Sequence, residues 1–430
     1  MFFVSSLLLA LALLAEVPPE SRAARPGPTT LPDQVPIPVR RPRPRPPRLL
    51  VLSDLHLGPD PGGPLDFTTP DSDLSAALAA ADPTVLVLDG DIFDLLEVDG
   101  PLSLDPPSVQ SRLNAVLATP AARNLGHGIQ ALLARGSRVI VRPGNHDLEL
   151  HLPEAQKILT QAWPGIVVDT TTPTRVEVAG HRVGIAHGQD ADKWNAYNPS
   201  AVRARDERAW PAGSHLVKDL LHPLKEQEGL RFLGVLVPDD EAAAFAAICV
   251  RPSILGRAAW ADTWLTFFPH LLQHRAEAAF GRETPTLPRR FLDAMWRRAT
   301  QDFEAKAIAG NAAAMELTPS EEEQKRAEEL ASAWDVDTVV HGHTHAPRQQ
   351  DLGEGKTYLN SGSWTLRMRI DPDVEDPWGD LLADLREDPE MRGPAVQRRL
   401  VLQRTGVLVD ADGARAAMWD GERWVNLVDL

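Results

Sequence analysis

The sequence predicts an α/β fold with a large helical insertion, and three observations lead to this prediction. Short runs of β-branched and leucine residues end in Asp, Asn, His or Gly, as in residues 84–91. Helical segments separate the first of these runs, which is typical of strands that alternate with helices. Residues 191–335 change to alanine, arginine and glutamate with helical periodicity. We therefore expect a helical cap inserted into the domain.

Metal-ligand residues follow the first two predicted strands. The first strand, in residues 48–58, ends in Asp54 and His56. Because residues i and i+2 of an extended chain point to the same side, these two side chains could hold one ion together. The second strand, in residues 84–91, ends at Asp91. Open α/β sheets bind ligands at the carboxyl ends of their strands, and we expect Asp91 to be shared by two metal ions.

The third strand, in residues 137–147, runs into Asn145, His146 and Asp147. The amide oxygen of Asn145 is a hard, neutral ligand, while His146 could point to the substrate with Asp147 orienting it. A plain turn is the alternative, since Gly-Asn is common in turns. Arg142 could contact a phosphate oxygen, or it could be an exposed arginine at the strand end.

Two later strand ends carry histidines. A hairpin in residues 174–188 places His187 at a strand end. A lone histidine there is usually structural, but this is the fourth strand to end in a ligand-type residue, and a glycine follows it, so a ligand role is also expected. The next strand is followed by His343 and His345, which lie two residues apart and so share one side of the chain. We interpret His341 as a core histidine or one that supports a ligand.

The other elements carry no predicted chemistry. Helices are expected over residues 73–81 and 108–135, the second broken around His127, which we interpret as solvated or capping. Further hairpins are expected in residues 348–364 and 406–428, the latter with Asp-Gly turns. Residues 371–399 are expected to form a loop or short helix.

Composition restricts the classes of function. A net charge of −16 argues against a nucleic-acid binder and favours an acidic cleft that holds cations. The single cysteine, Cys249, excludes an internal disulfide framework and any cysteine-based zinc site.

The first 47 residues differ from the rest. Residues 1–16 form an apolar run, shorter than the ~20 residues that a membrane span needs, and they suggest a signal peptide or short anchor. A poorly chosen start codon or a frayed tail is the alternative. Residues 17–47 are rich in proline and arginine and indicate a linker, which could also contact anionic lipid. A membrane-associated or exported location is favoured over a cytoplasmic one.

The cap contains an aromatic stripe at helical spacing, formed by Trp260, Trp264, Phe267 and Phe268. Such a stripe is typical of core packing. A face that binds lipid or acyl chains is the alternative.

Five motifs together resemble the calcineurin-like metallophosphoesterases. These motifs are Asp-x-His at 54–56, Gly-Asp at 90–91, Gly-Asn-His-Asp at 144–147, His-Gly at 187–188 and Gly-His-Thr-His at 342–345. The resemblance covers residues 48–190 and 336–366. It implies two packed, mixed β-sheets flanked by helices, with residues 48–190 and 336–430 forming the phosphoesterase domain.

The resemblance also implies a dinuclear metal centre. By motif position, the first ion would be held by Asp54, His56 and His345, the second by Asn145, His187 and His343, and both by Asp91. Nitrogen and oxygen ligands without sulfur suit Mn²⁺, Fe or Zn²⁺, and we expect Mn²⁺.

The implied activity is hydrolysis of a phosphoester or pyrophosphate bond by a metal-bridging hydroxide. His146 would protonate the leaving group and Asp147 would hold its ring. Within the family, the sequences SDLHLG, GDIFD and HGHTHAP are most similar to the UDP-2,3-diacylglucosamine pyrophosphohydrolases, which typically have arginine where His146 stands. We expect a phosphorylated small molecule, nucleotide or lipid-linked substrate, with no nucleic-acid or protein partner. A protein Ser/Thr phosphatase and a non-catalytic metal-bound scaffold are the alternatives.

Overall fold

The structure is a computed structural model that describes residues 45–58, 71–192, 194–215, 217–218, 317–369, 377–388 and 393–429. Residues 1–16, nearly all of the linker and the central part of the cap with its aromatic stripe lie outside these ranges. Among the described helices, none combines the length and apolar character that a membrane crossing needs.

The described chain alternates strands and helices, as expected. The strands are β1 (Leu49–Leu52), β2 (Val85–Asp89), β3 (Arg138–Arg142), β4 (Val167–Val168), β5 (Thr174–Val178), β6 (His181–Ile185), β7 (Thr338–His341), β8 (Arg348–Gly353), β9 (Lys356–Asn360), β10 (Leu366–Met368), β11 (Leu400–Leu402), β12 (Thr405–Asp410), β13 (Gly413–Trp419) and β14 (Trp424–Asn426). The helices are α1 (Asp71–Ala81), α2 (Pro106–Leu117), α3 (Pro120–Ala134), α4 (Pro153–Ala162), α5 (Pro199–Arg203), α6 (Ala212–His215), α7 (Glu321–Trp334), α8 (Pro377–Glu387) and α9 (Pro394–Gln397).

Two mixed sheets organise the domain. The large sheet has the order β14-β13-β12-β1-β2-β3-β4, in which β1 to β4 are parallel and β12 to β14 are antiparallel. The small sheet has the order β5-β6-β7-β9-β8, with a parallel centre and antiparallel edges. Strands β10 and β11 pair separately.

Alternation along the strands explains the layers. Leu49 and Val51 of β1 belong to a core cluster shared with residues of the small sheet, such as Ile185. Leu50 and Leu52 belong instead to a cluster shared with the helices. Both faces of the large sheet are therefore covered. Each fully buried Leu or Val side chain stabilises the folded state by about 1.5–3 kcal/mol relative to an exposed one.

The outer face of the small sheet is covered by α7. Ala327 and Ala331, one helical turn apart, pack in a cluster with Val339 and Tyr358. The helix begins at a capping box between Ser320 and Glu323. The order of layers is therefore helices, sheet, sheet, helix, and the predicted fold class is confirmed.

The expected helix break near His127 is wrong. The chain interrupts the helical region at Thr119, whose side chain caps α3, and Pro120 occupies the first turn. Helix α3 continues through Gly126, where a Cβ would lie 2.6 Å from Nε1 of Trp163, so glycine permits close packing of Trp163. His127 is exposed, in agreement with its interpretation as a solvated histidine.

Both ends of the segment predicted as the cap contribute to the core. Val202 and Trp210 lie in the cluster that covers the helical face of the large sheet, while Ala327 and Ala331 cover the small sheet. The two connections to the central part of the cap are therefore anchored on the domain.

Candidate metal centre

The predicted ligands meet at the carboxyl ends of strands from both sheets. The loop after β1 is tied to the loop after β2, because the N–H of Asp54 donates to the carbonyl of Gly90 (3.1 Å) and the N–H of His56 to that of Asp91 (2.9 Å). The loops after β6 and β7 are joined likewise by the N–H of Gly342 and the carbonyl of His187 (2.9 Å).

The backbone at the site is unusual. Most of the predicted ligands adopt positive φ. Holding a non-glycine residue in this sparsely populated backbone conformation costs of order 1–3 kcal/mol. The ligands with positive φ are Asp54 (53°), His56 (46°), Asp91 (50°), His343 (67°) and His345 (55°). Such conformations persist only where surrounding contacts enforce them, and their concentration here indicates a functional site.

Two glycines allow the loops to approach each other. Gly90 has φ of 78°, and a Cβ there would lie 2.5 Å from the His187 ring. A Cβ on Gly144 would overlap Oδ1 of Asp91. A side chain at Gly90 would displace His187, and one at Gly144 would displace Asp91.

One group of ligand atoms comes from Asp54, His56 and His345, whose ligand atoms all lie within 4.8 Å of one another. Nε2 of His345 is 3.3 Å from Oδ1 of Asp54 and 3.0 Å from Nε2 of His56. These are the residues expected to hold the first ion.

A second group comes from Asp91, His187 and His343, again within 4.8 Å. Nδ1 of His187 is 2.7 Å from the carbonyl oxygen of Asp89, so Nδ1 carries the proton and Nε2 is the nitrogen that can bind an ion. Nε2 of His187 lies 3.1 Å from Oδ2 of Asp91.

Asp91 lies between the two groups. Its Oδ2 is 3.1 Å from Nε2 of His187 and 4.0 Å from Nε2 of His56. Its Oδ1 accepts the backbone N–H of His146 (2.8 Å), which fixes the carboxylate. A single carboxylate oxygen therefore faces the ligand nitrogens of both groups.

The residues present fit a pair of divalent cations. Oδ1 of Asn145 is buried and has no hydrogen-bond partner in the described part of the chain. Oδ1 of Asp54 and Nε2 of His187 also make no hydrogen bond there, and their close contacts are with other ligand atoms, Nε2 of His345 at 3.3 Å and Oδ2 of Asp91 at 3.1 Å. Leaving such atoms without a partner is costly unless something else binds them. The imidazole, carboxylate and amide donors suit Mn²⁺, Fe or Zn²⁺.

The electrostatics of the site favour positive charge. Burial acts to raise the pKa of Asp54, but the imidazoles of His187 and His345 lower it below its usual value. Burial also acts to raise the pKa of Asp91, but His187 and His146 lower it well below its usual value. Conversely, burial acts to lower the pKa of His187, while Asp91 and Asp54 raise it to about 10. A proton or a metal ion can supply the positive charge that these carboxylates favour.

Comparison with known families agrees with this geometry. Residues 47–246 match the calcineurin-like phosphoesterase family. The match includes the predicted ligands from Asp54 to His187, and the fold brings His343 and His345 to them from farther along the chain. A search of curated proteins finds no match to this chain. The calcineurin-like phosphoesterase match and the ligand groups together support a metal-dependent phosphoesterase.

The candidate metal centre also contains Asp94, a residue that was not among the predicted site residues. Asp94 places Oδ1 3.0 Å from Nδ1 of His146 and Oδ2 3.2 Å from Nδ1 of His56. Burial acts to raise the pKa of Asp94, but His146 and His56 lower it well below its usual value. The signal was present, since the sequence GDIFD carries this second aspartate three residues after Asp91.

The prediction that Asp147 orients the ring of His146 is wrong. The side chain of Asp147 accepts backbone N–H groups instead, from Asp91, Ile92, Phe93 and Gly144. Burial and the nearby charge of Asp91 raise the pKa of Asp147 to about 7. Asp147 therefore fixes the loops after β2 and β3, and it is Asp94 whose carboxylate bonds to Nδ1 of His146.

Arg142 does not take the exposed position that was one of its two expected ones. It is buried, its Nε donates to Oδ1 of Asp89 (2.7 Å), and its Nη1 donates to the carbonyl of Thr171 (2.9 Å). The arginine is held beside the site by this ion pair and is not exposed at the strand end.

His341 packs as a core histidine, in agreement with its interpretation. Its ring makes edge contacts with Trp334 and Tyr358, and burial lowers its pKa to about 3. A buried neutral imidazole there adds no charge beside His343.

The candidate metal centre opens into a cleft of about 380 Å³. Asn145, His146, His343 and His345 line it together with residues from both ends of the segment predicted as the cap, such as Trp194 and Arg326. His146 is thus placed between the metal ligands and the space that a substrate would occupy.

Proposed function

We propose that this protein is a metal-dependent hydrolase that cleaves phosphoester or pyrophosphate bonds of small-molecule substrates. The observation that carries the proposal is the position of Asp91, whose Oδ2 faces His187 on one side and His56 on the other. In this proposal Asp54, His56 and His345 hold one ion, Asn145, His187 and His343 hold the other, and Asp91 contacts both.

When bound, a pair of divalent ions supplies an activated water and charge stabilisation for phosphoryl oxygens. The protein supplies the remaining steps. His146 lies in the cleft beside the ligands, and it protonates the leaving-group oxygen as the bond to phosphorus breaks. General acid catalysis of this kind contributes about 10²–10⁴-fold.

Asp94 positions His146 for this step. Because Oδ1 of Asp94 is bonded to Nδ1 of His146 (3.0 Å), proton transfer to the substrate uses Nε2. The carboxylate also stabilises the protonated ring, which keeps the acid charged before the leaving group departs.

The cleft favours a small substrate. Its volume of about 380 Å³ falls within the ~300–1,000 Å³ usual for small-molecule sites. A nucleotide or lipid-linked diphosphate, as cleaved by UDP-2,3-diacylglucosamine pyrophosphohydrolases, is one member of the proposed substrate class. His146 distinguishes this chain from that branch, whose arginine could not act as a proton donor at neutral pH.

The proposal is tested by hydrolysis of bis-p-nitrophenyl phosphate and p-nitrophenyl phosphate, with Mn²⁺ added to protein first stripped of metal. We expect turnover that requires Mn²⁺. The Asp91→Asn variant serves as the control for contaminating phosphatases and should be inactive in the same assay.

Bound metal without hydrolysis of either substrate would favour a non-catalytic scaffold. A strong preference for a phosphoserine peptide over both small substrates would favour a protein phosphatase.

A further inference from the structure

Asp192 lies beside one of the proposed metal ligands without belonging to either ligand group. Its Oδ2 is 3.2 Å from Nε2 of His343. Asp192 lies in the loop after β6, at the end of a short 3-10 helix (Gln189–Ala191), whereas His343 follows β7. The contact therefore joins the start of the cap insertion to the metal centre.

The carboxylate of Asp192 is held in place by its own neighbours. Oδ1 accepts the backbone N–H of Trp194 (2.9 Å), and Oδ2 accepts the side-chain amide of Asn195 (2.8 Å). The carbonyl of Asp192 accepts two further backbone N–H groups, from Asn195 and Ala196. The turn thus fixes the position of the carboxylate independently of His343.

The contact determines which nitrogen of His343 can bind an ion. An imidazole has two ring nitrogens, and a carboxylate that engages Nε2 favours the proton on Nε2 and leaves the lone pair on Nδ1. The backbone N–H of His343 is bonded to Oδ2 of Asp54 (3.0 Å), which restrains the other end of the residue. With both ends held, the ring has one orientation toward Asp91 and His187.

We propose that Asp192 is a positioning residue for the second ion, acting through His343. It fixes the tautomer and orientation of that ring and increases the electron donation from Nδ1. A carboxylate partner on a ligand histidine is a common means of strengthening metal binding. The inference rests on the metal centre of the proposed function and extends it to the base of the cap.

Metal affinity gives the direct test. Removal of such a supporting group costs about 10–100-fold in metal affinity, so Asp192→Ala should weaken one of two Mn²⁺ sites by that factor and leave the other unchanged. Asp192→Asn, which preserves shape but not charge, should lie between wild type and Asp192→Ala. Free Mn²⁺, measured by electron paramagnetic resonance during titration of metal-stripped protein, reports both affinities without substrate.

Asp190→Asn is the matched control. Asp190 lies two residues earlier, is exposed and pairs with Nη2 of Arg326 (2.8 Å). Its substitution removes the same charge from the same turn without touching His343, and both Mn²⁺ affinities should stay at the wild-type values.

A double-mutant cycle separates positioning through His343 from a general effect on folding. In a His343→Ala background, Asp192→Ala should cause no further loss of Mn²⁺ affinity. An equal loss in both backgrounds, or wild-type affinity in Asp192→Ala, would overturn the inference. If Asp192→Ala does not fold, the isosteric Asp192→Asn carries the same comparison. Wild-type protein that binds two ions but hydrolyses no phosphoester would overturn the proposed function and leave this inference standing.

Discussion

The two sheets contribute ligands of different kinds to the site. The large-sheet half consists of Asp54, His56, Asp91 and Asn145, most of which offer oxygen. The small-sheet half consists of His187, His343 and His345, which offer only imidazole nitrogen. The carboxylates lie on short side chains in loops that are bonded to one another through the backbone. In two of these histidines the second ring nitrogen has a protein partner. Nδ1 of His187 contacts the carbonyl oxygen of Asp89, and Nε2 of His343 contacts the carboxylate of Asp192.

This difference shows how each half is made rigid. A short carboxylate reaches an ion only if its backbone comes close, and the missing side chains of Gly90 and Gly144 leave room for that approach. An imidazole reaches farther, so it needs a partner on its second nitrogen to fix the ring. We infer that the large-sheet half supplies the negative charge that attracts the ions. The small-sheet half supplies imidazoles whose fixed rings set the direction of the nitrogen ligands.

The largest expected effect is the difference in bound metal between a variant that removes a carboxylate and one that removes an imidazole. Asp91→Ala removes a negative charge that faces both ligand groups, whereas His187→Ala removes one neutral ligand. We expect Asp91→Ala to lose both ions and His187→Ala to keep one, as measured by the metal-to-protein ratio after dialysis. Turnover of Asp91→Ala should fall by at least about 10³-fold, since metal ions contribute several kcal/mol of transition-state stabilisation. Equal metal ratios in the two variants would break the comparison.

His146 lies in a loop of the large sheet but is not one of the proposed metal ligands. Its substitution should therefore lower turnover without changing metal binding. His146→Gln is expected to retain both ions while turnover falls by about 10²–10⁴-fold. The loss should be largest for alkyl phosphate esters, because p-nitrophenolate leaves with little protonation. Equal losses for alkyl and p-nitrophenyl esters would exclude the role of His146 as the acid.

Asp94 should show a smaller effect of the same kind. Asp94→Asn removes the charged partner of His146 and also a partner of His56, and an outer partner of this type is worth about 10–100-fold in activity. The pH–rate profile provides the decisive measurement, because loss of the carboxylate lowers the pKa of the His146 acid and should move the basic limb to lower pH. An unchanged profile would show that Asp94 does not act through His146.

The smallest expected effect is on the stability of the protein and concerns two residues, Tyr197 and His151, that contact the loop of the large sheet at Gly144. Tyr197 donates its hydroxyl hydrogen to the carbonyl of Gly144 (3.1 Å), and Nε2 of His151 lies 3.1 Å from the same hydroxyl oxygen. With the hydroxyl hydrogen already used, His151 must donate from Nε2, which leaves Nδ1 unprotonated. Nδ1 is buried without a hydrogen-bond partner among the described residues. Burial, followed by the charge of Arg203, lowers the pKa of His151 to about 4.

The sign of the resulting pH dependence follows from these values. The unfolded chain binds a proton at His151 below about pH 6.5, but the folded protein does so only near pH 4. Stability from the neutral ring is therefore complete at pH 7 and is lost as the pH falls from 6.5 toward 4. The loss at pH 5 should be roughly 2 kcal/mol.

Urea unfolding of metal-stripped protein measures this effect. Wild type should lose more unfolding free energy than His151→Gln between pH 7 and pH 5, since glutamine preserves a donor to Tyr197 but does not titrate. Other histidines titrate in both proteins and cancel in the comparison. Identical pH dependence in the two proteins would contradict the assignment of His151 as a buried neutral ring.

Much of the fold could be read from local pattern. The apolar runs before Asp54 and Asp91 form β1 and β2, and the Ala179–Gly180 turn joins β5 to β6. The helix break was misplaced because Gly126 is a poor helix former in isolation. In the folded protein its missing side chain makes room for Trp163, a tertiary reason that no local pattern shows.

The sequence by itself determined which residues could bind metal, because strand ends with ligand-type side chains can be recognised along a single chain. Only the tertiary structure decided the partners of those residues. Asp147 adjoins His146 in sequence, yet it bonds to backbone N–H groups, whereas Asp94 and Asp192 reach His146 and His343 from distant loops. Hydrogen bonds depend on atoms being about 3 Å apart, and such distances between separate strands are set by how the two sheets pack.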